Sequence, residues 1–262
     1  MSANVKIFVE GPTDKTIIEK LTKEASLKAK IHKCKGKRNI NSAINKIVID
    51  PLPYPPQPDE PTTILIFRDR DGGETQESIC KSINDNLKNK INTSERIPPI
   101  QHQTYSNIYK FYYKDIYLTT ILHISERQGL SELKEYIDEF SNAEIEDYIL
   151  AGALEDRIIS RFSIENESRC EFDQNIVKKM IVSELPLLLK EHGVNPQQKD
   201  ILSAYMFATR FLYIKRSDDE KCFISILMDR IIKHGNHKEV FASIIEALEM
   251  AVNSPELSEV IV

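Results

Sequence analysis

Two hydrophobic patterns divide the chain. In the first half, short apolar runs typical of buried strands alternate with longer stretches in which apolar residues recur at helical spacing. From Leu130 onward the helical period of 3.6 residues prevails. We therefore expect an α/β domain over residues 1–155, followed by an all-helical domain over residues 156–262.

The first half contains the pattern of a mainly parallel sheet flanked by helices. Strands are predicted at residues 5–9, 27–34 and 63–67, with further strand material rich in Tyr, Thr and Ile at 109–123. Helices are predicted after residue 11, at 39–49 and at 74–91. This β-α-β-α alternation predicts an α/β fold in which strands 5–9 and 63–67 are parallel neighbours or near neighbours.

Composition and charge exclude some classes of protein. The chain has 35 basic and 40 acidic residues, a net charge of −5, which excludes a uniformly basic nucleic-acid coat but not a local basic patch. The four cysteines form no C-x-x-C pair, so neither a disulfide framework nor a zinc ribbon is supported. Without a secretory signal pattern or an apolar run long enough for a bilayer, we expect a cytoplasmic protein with no membrane partner.

The first acidic motif is Val-Glu-Gly-Pro-Thr-Asp at residues 9–14. Glu10 follows the first predicted strand, at the carboxyl end where open α/β sheets place their ligands. Asp14 falls in the first turn of the next helix, where an acidic residue commonly caps the helix or faces its dipole. In isolation, this motif is compatible with a purely structural role.

The second acidic motif follows strand 63–67 and reads Arg-Asp-Arg-Asp-Gly-Gly-Glu at residues 68–74. In an extended segment Asp69 and Asp71 point to the same side, because side chains alternate along a strand. A calcium EF-hand loop is excluded, since Gly73 and Glu74 stand where Asp or Asn and then Gly are required. A solvated charged loop is the alternative for this segment alone.

Together the two motifs predict a metal site. Parallel strands would deliver Glu10, Asp69 and Asp71 to one edge of the sheet, where clustered carboxylates repel one another unless a cation neutralises them. Mg²⁺, or Mn²⁺ in its place, suits such oxygen ligands. Because repulsion would be relieved, we expect Glu10→Gln or Asp69→Asn to leave the metal-free protein equally stable or slightly more stable.

This arrangement resembles the Toprim domain. The shared features are a strand ending in Glu-Gly, an aspartate four residues after the glutamate, and a later strand followed by Asp-x-Asp. Toprim domains occur in topoisomerases, bacterial primases, ribosomal-RNA maturases and the overcoming-lysogenisation-defect (OLD) nucleases, and the Val-Glu-Gly-x-x-Asp form is most similar to the OLD type. The resemblance covers residues 4–125 or, at its longest, 4–155.

The resemblance implies roles for individual residues. Glu10, Asp69 and Asp71 would be catalytic metal ligands, with Asp14 supporting a second metal ion. OLD-type nucleases often carry a later acidic cluster, and Glu146 in the segment 144–147 is its best match here, with a solvated helix start as the alternative. Arg68 and Arg70 depart from the apolar or small residues usual in the family.

A basic run from Lys28 to Arg38 lies within residues 27–49, a stretch of this acidic chain that contains no acidic residue. Its cationic residues, which we predict to hold nucleic-acid phosphates, are Lys28, Lys30, Lys33, Lys35, Lys37 and Arg38. A solvated surface is the alternative for such a run.

The resulting hypothesis is a nuclease that uses Mg²⁺ or Mn²⁺ to cleave DNA or RNA. Because the chain lacks a G-x-x-x-x-G-K-[ST] motif, it lacks the ATPase module of OLD proteins, and the resemblance implies an anti-phage effector that works with a separate ATPase chain. A homo-oligomer is a further expectation. The alternatives are a Toprim-like binding or regulatory module with little catalysis, and a small primase-like phosphoryl-transfer enzyme.

Overall fold

The computed structural model describes residues 4–52, 61–95, 97–127, 142–164, 174–212 and 220–253. Its contacts group the chain into two compact units. The first comprises Met1–Arg70, Glu74–Ser125 and Ala242–Val262, and the second comprises Asp71–Gly73 and Glu126–Phe241. The boundary expected at residue 155 stays a prediction.

The first unit contains a six-stranded sheet in the order β2-β1-β3-β6-β5-β4. The pairs β1–β2, β1–β3 and β3–β6 are parallel, whereas β4 and β5 add an antiparallel edge. The strands are β1 (Asn4–Val9), β2 (Lys30–Lys33), β3 (Thr62–Arg68), β4 (Ile100–Gln101), β5 (Ile108–Tyr113) and β6 (Leu118–Ile124).

Burial explains why β3 and β6 lie at the centre of the sheet. Every residue of both strands is buried, which requires cover on both faces of the sheet. On one face, Phe8 and Ile64 pack in a cluster with Ile79 and Ile83 of a flanking helix. The helices of this unit are α1 (Pro12–Glu24), α2 (Ile40–Ile44), α3 (Gln76–Ile91) and α11 (Ala242–Asn253), of which α11 packs against β3 and β6.

The segment at 109–123 differs from the single stretch of strand material predicted for it. It forms the antiparallel hairpin of β5 and β6, joined by a 3₁₀ turn at Lys114–Ile116. Tyr117 closes the turn with a φ of 48°, in the left-handed region. Because β6 follows this turn, it runs parallel to β3 and ends at the same edge of the sheet.

The second unit is helical within its described residues. Tyr205 anchors two of its helices, because the hydroxyl donates to the carbonyl oxygen of Ala153 at 2.9 Å. The helices are α4 (Ile145–Ala153), α5 (Asp156–Ile164), α6 (Gln174–Lys179), α7 (Leu185–Glu191), α8 (Gln198–Leu212), α9 (Glu220–His234) and α10 (His237–Val240).

The coarse fold prediction is confirmed. The chain is an α/β protein with a mostly parallel sheet flanked by helices and a helical C-terminal region. Among the described residues, none of the helices combines the length and the apolar character needed to cross a membrane.

Candidate functional site

Glu10 and Asp69 lie side by side at the carboxyl edge of the sheet. Strands β1 and β3 pair in parallel with Phe8 opposite Ile66, so both strands end at this edge. The backbone N–H of Asp69 donates to Glu10 Oε1 at 3.1 Å. The prediction that these two strands are parallel neighbours is confirmed, and one hydrogen bond joins the two acidic residues that follow them.

Ser125 adds a third strand end to this edge. It follows β6 directly, and its backbone N–H donates to the carbonyl oxygen of Arg68 at 2.8 Å. Its buried hydroxyl donates to Asp69 Oδ1, also at 2.8 Å. Ser125 therefore orients the Asp69 carboxylate. Sequence reasoning missed it, although its position after an apolar strand was the available signal.

Arg68 is a buried cation within the acidic site. Its side chain is 8% exposed and spans two carboxylates: Nη1 lies 2.7 Å from Glu10 Oε1, and Nη2 lies 3.1 and 3.2 Å from the two carboxylate oxygens of Glu74. The guanidinium also donates to the carbonyl oxygen of Asp69. Arg68 thus supplies the positive charge that a cluster of acidic residues requires.

Half of the basic run lies at this same edge. The backbone N–H of Cys34 donates to the Val9 carbonyl, and that of Gly36 donates to the Glu10 carbonyl, both at 2.9 Å. Gly36 has a φ of 103°, a conformation that disfavours any residue with a side chain. This turn brings residues 33–38 beside Glu10.

The cations of the basic run differ in position and partners. Lys33, Lys35 and Arg38 are exposed, whereas Lys37 is half-buried with its Nζ 3.6 Å from Glu74 Oε1. Lys30 pairs in register with Lys6, and Lys33 pairs with Val9, so Lys30 lies about 10 Å further from the edge, at roughly 3.3 Å per residue. Lys28 precedes the strand on the same far side. Only the second half of the run adjoins Glu10.

Asp14 has a structural role in α1. Its Oδ2 accepts the backbone N–H of Gly11, which satisfies a donor at the start of the helix. The carboxylate is buried, and a Cβ added at Gly11 would lie 3.0 Å from Asp14 Oδ2. A side chain at position 11 would therefore crowd this cap. A metal-supporting role for Asp14 stays a prediction.

Asp71 and Glu146 both belong to the second unit. The loop that begins at Asp71 is fixed there, because the backbone N–H of Gly72 donates to Asn142 Oδ1 at 2.8 Å. Asn142 Nδ2 in turn lies 3.2 Å from Glu144 Oε1. This links the Asp-x-Asp loop to the acidic segment from which Glu146 comes.

The acidic segment 144–147 is buried rather than solvated. Glu144, Glu146 and Asp147 are between 3% and 7% exposed at the start of α4. Burial raises the pKa of Asp147 to about 7, while hydrogen bonds from the Glu144 backbone and from Gln198 partly oppose that rise. The alternative of a solvated helix start is therefore wrong.

The donor chemistry of the edge suits a hard divalent ion, although the carboxylates are engaged with protein groups. Glu10 and Asp69 offer oxygen ligands of the type that Mg²⁺ and Mn²⁺ prefer. Arg68 contacts Glu10 and Ser125 contacts Asp69. Within the ranges that the structure describes, no three His, Cys, Asp or Glu side chains are grouped as a metal would require.

Comparison with known proteins gives a match in fold alone. No family model and no curated protein matches the chain. The crystal structure of a hypothetical protein from Pyrococcus horikoshii OT3 is similar, with a TM-score of 0.54, 12% sequence identity, and coverage of 96% of this chain and 98% of that one. At this identity the similarity extends to the fold and says nothing about activity.

Proposed function

We propose that this protein is a metal-dependent nuclease that cleaves phosphodiester bonds of DNA or RNA. The observation that carries the proposal is the hydrogen bond from the backbone N–H of Asp69 to the Glu10 carboxylate, at the ends of two neighbouring parallel strands. This is where the resemblance to the Toprim domain requires two of its acidic ligands. Asp71, two residues after Asp69 along the chain, is the third proposed ligand, and Glu146 is proposed as a further one.

We assign separate roles in the reaction to the residues at this edge of the sheet. Glu10 and Asp69 would hold Mg²⁺ or Mn²⁺, which when bound would activate water and neutralise charge on the leaving oxygen. Ser125 fixes one oxygen of Asp69 through its hydrogen bond, so the carboxylate is oriented before any ligand arrives. Such partners of ligating carboxylates commonly govern metal affinity.

The basic turn beside Glu10 supports nucleic acid as the substrate. The side chains of Lys33, Lys35 and Arg38 are exposed at the edge that carries the acidic residues. Exposed cations bind the phosphate backbone and release counterions, which makes affinity depend on salt. A substrate held by this turn would place its phosphates beside the proposed metal site.

Salt titration tests this substrate assignment with a matched control. Neutralising Lys33, Lys35 and Arg38 to Gln should weaken nucleic-acid binding and flatten the plot of log affinity against log salt by up to about 3 units of slope for a duplex. Neutralising Lys28 and Lys30, which lie away from the edge, should change the slope by less for each charge removed. Equal slopes in the wild type and the triple variant would contradict the assignment.

A nuclease assay tests the proposed activity. The full chain should degrade single- or double-stranded DNA or RNA when Mn²⁺ is present and lose this activity with a chelator. Glu10→Gln and Asp69→Asn should each abolish it. Glu19→Gln is the matched control, because Glu19 is exposed on α1 and pairs only weakly with Lys15 at 3.5 Å. Activity that survives in Asp69→Asn would refute the proposal.

One observation favours a second candidate, a binding or regulatory module with little catalysis. Arg68 already neutralises Glu10, as a site without a catalytic metal would require. Nucleic-acid binding that is unaffected by Mn²⁺, together with no cleavage of any of the four substrates, would select this candidate. A primase-like activity, the anti-phage role, the separate ATPase chain, the homo-oligomer and the cytoplasmic location stay predictions.

A further inference from the structure

Arg68 forms a bridge between two carboxylates that have different positions in the site. Glu10 is a proposed metal ligand at the end of β1, whereas Glu74 lies just before α3. The guanidinium uses separate nitrogens for the two partners, Nη1 for Glu10 and Nη2 for both oxygens of Glu74. The Arg68 guanidinium is therefore shared between Glu10, a proposed metal ligand, and Glu74, which is not proposed as a ligand.

The contact with Glu10 competes with metal binding. Glu10 Oε1 accepts from both Arg68 and the Asp69 backbone, at 2.7 and 3.1 Å. A divalent cation on the same carboxylate would lie close to the guanidinium, and two positive charges at such a distance repel strongly in a buried site. Metal loading at Glu10 therefore requires this contact to lengthen or break.

The structure provides a place for the displaced guanidinium. A cavity of about 60 Å³ opens beside Arg68 and Glu74 and is lined by Ser78, Ser82 and two isoleucines of α3. Glu74 already offers both of its oxygens to Nη2, and a second guanidinium N–H turned toward Glu74 would complete the bidentate pairing that is strongest for arginine. A small rotation toward Glu74 would keep Arg68 paired.

We propose that Arg68 is a displaceable counter-ion of the metal site, a positioning residue that holds Glu10 while the metal is absent and moves onto Glu74 when the metal binds. This inference rests on the proposed function, because it assumes that Glu10 is a ligand. In this role Arg68 supplies a positive charge to Glu10 while the metal is absent, and it sets the metal affinity by its competition for that carboxylate.

Titration calorimetry with Mn²⁺ on the full chain, without nucleic acid, tests the inference. Arg68→Gln should bind Mn²⁺ at least about tenfold more tightly than the wild type, the size of one charge-assisted hydrogen bond. Glu74→Gln should bind Mn²⁺ about two- to tenfold more weakly. Without the Glu74 carboxylate, Arg68 pairs more strongly with Glu10 and competes better with the metal. The opposite signs distinguish competition from a general loss of structure.

Lys35→Gln controls for long-range charge, because Lys35 is exposed beside Glu10 and also carries one positive charge. At about 1 M salt, where the Debye length is about 3 Å, its effect should vanish while that of Arg68→Gln persists. If Arg68→Gln fails to fold, Glu74→Gln carries the test alone.

The outcomes separate the two proposals. Tighter binding in Arg68→Gln together with weaker binding in Glu74→Gln supports the counter-ion role. Unchanged or weaker binding in a folded Arg68→Gln variant, or unchanged or tighter binding in Glu74→Gln, overturns it and leaves the proposed metal site standing. No binding of Mn²⁺ in either the wild type or Arg68→Gln refutes the proposed function itself.

Discussion

The substitution Glu10→Gln should lower the stability of the metal-free protein, contrary to the expectation from sequence that relief of repulsion would leave it unchanged or higher. The structure reverses that expectation because Glu10 pairs with a cation rather than facing only other carboxylates. The Glu10 side chain is 17% exposed and that of Arg68 is 8%, so solvent screens the pair weakly. Glutamine keeps an oxygen for Arg68 and for the Asp69 N–H but removes the charge.

The size of this destabilisation follows from the interactions that Glu10→Gln removes and from those that it keeps. Breaking a buried ion pair typically costs about 3–5 kcal/mol, and a hydrogen bond to a charged group contributes about 1.5–3 kcal/mol. Because Arg68 retains Glu74 and the glutamine retains an acceptor, we expect the free energy of unfolding to fall by about 1–2 kcal/mol. A double-mutant cycle of Glu10→Gln with Arg68→Gln should show a coupling energy of similar size.

Urea unfolding in the presence of a chelator measures this effect. Glu19→Gln is the control, since its exposed i,i+4 pair with Lys15 should contribute no more than about 0.5 kcal/mol. A destabilisation by Glu10→Gln that is no greater than that by Glu19→Gln, or a cycle without coupling, would refute this reasoning. In either case the ion pair of Glu10 with Arg68 does not stabilise the fold.

Three further substitutions test neighbouring features. Burial lowers the pKa of His123 to about 3, so below the ordinary pKa of 6.5 the unfolded chain takes up a proton on His123 while the folded chain does not. The free energy of unfolding should fall by about 1.6 kcal/mol between pH 6.5 and pH 5, and urea unfolding should show a fall smaller by that amount in His123→Gln. Ser125→Ala removes the donor to Asp69 and should weaken Mn²⁺ binding about tenfold in calorimetry, whereas an unchanged affinity would show that the hydroxyl does not orient the carboxylate. Gly36→Ala places a Cβ at a φ of 103° and should cost about 1–2 kcal/mol in the same unfolding assay, with no cost expected if the turn rearranges freely.

The pairing of Glu10 with Asp69 was predictable from the sequence because it depends on two short-range signals. Each residue follows a short apolar run, and parallel strands that begin at the same side of a sheet also end at the same side. The register of β1 with β3 then brings the two together without any contribution from side-chain detail.

The hairpin at 109–123 was not predictable from turn residues. The turn at Lys114–Ile116 and Tyr117 contains Asp115 but no Gly, Pro, Asn or Ser, so just one of the residue types that ordinarily mark such a reversal is present. Tyr117 adopts a positive φ nonetheless, and its carbonyl oxygen accepts the backbone N–H of Thr62 at 3.1 Å. A tertiary contact rather than local sequence supports this turn.

The partners of the acidic residues also depend on tertiary structure. Arg68 stands out in sequence as a departure from the Toprim pattern, but its pairing with Glu74 follows from the path of the loop between β3 and α3. The basic run looks uniform in sequence, whereas the start of β2 at Lys30 divides it into cations near the edge and cations away from it.

Direct titration of Mn²⁺ into the full chain tests the central claim, that Glu10 and Asp69 form a site for a divalent cation. We expect saturable binding in the wild type that is lost in Asp69→Asn, a substitution that keeps an oxygen acceptor for Ser125 while removing the charge. Glu19→Gln should bind as the wild type does. Equal Mn²⁺ affinity in the wild type and Asp69→Asn would contradict the claim.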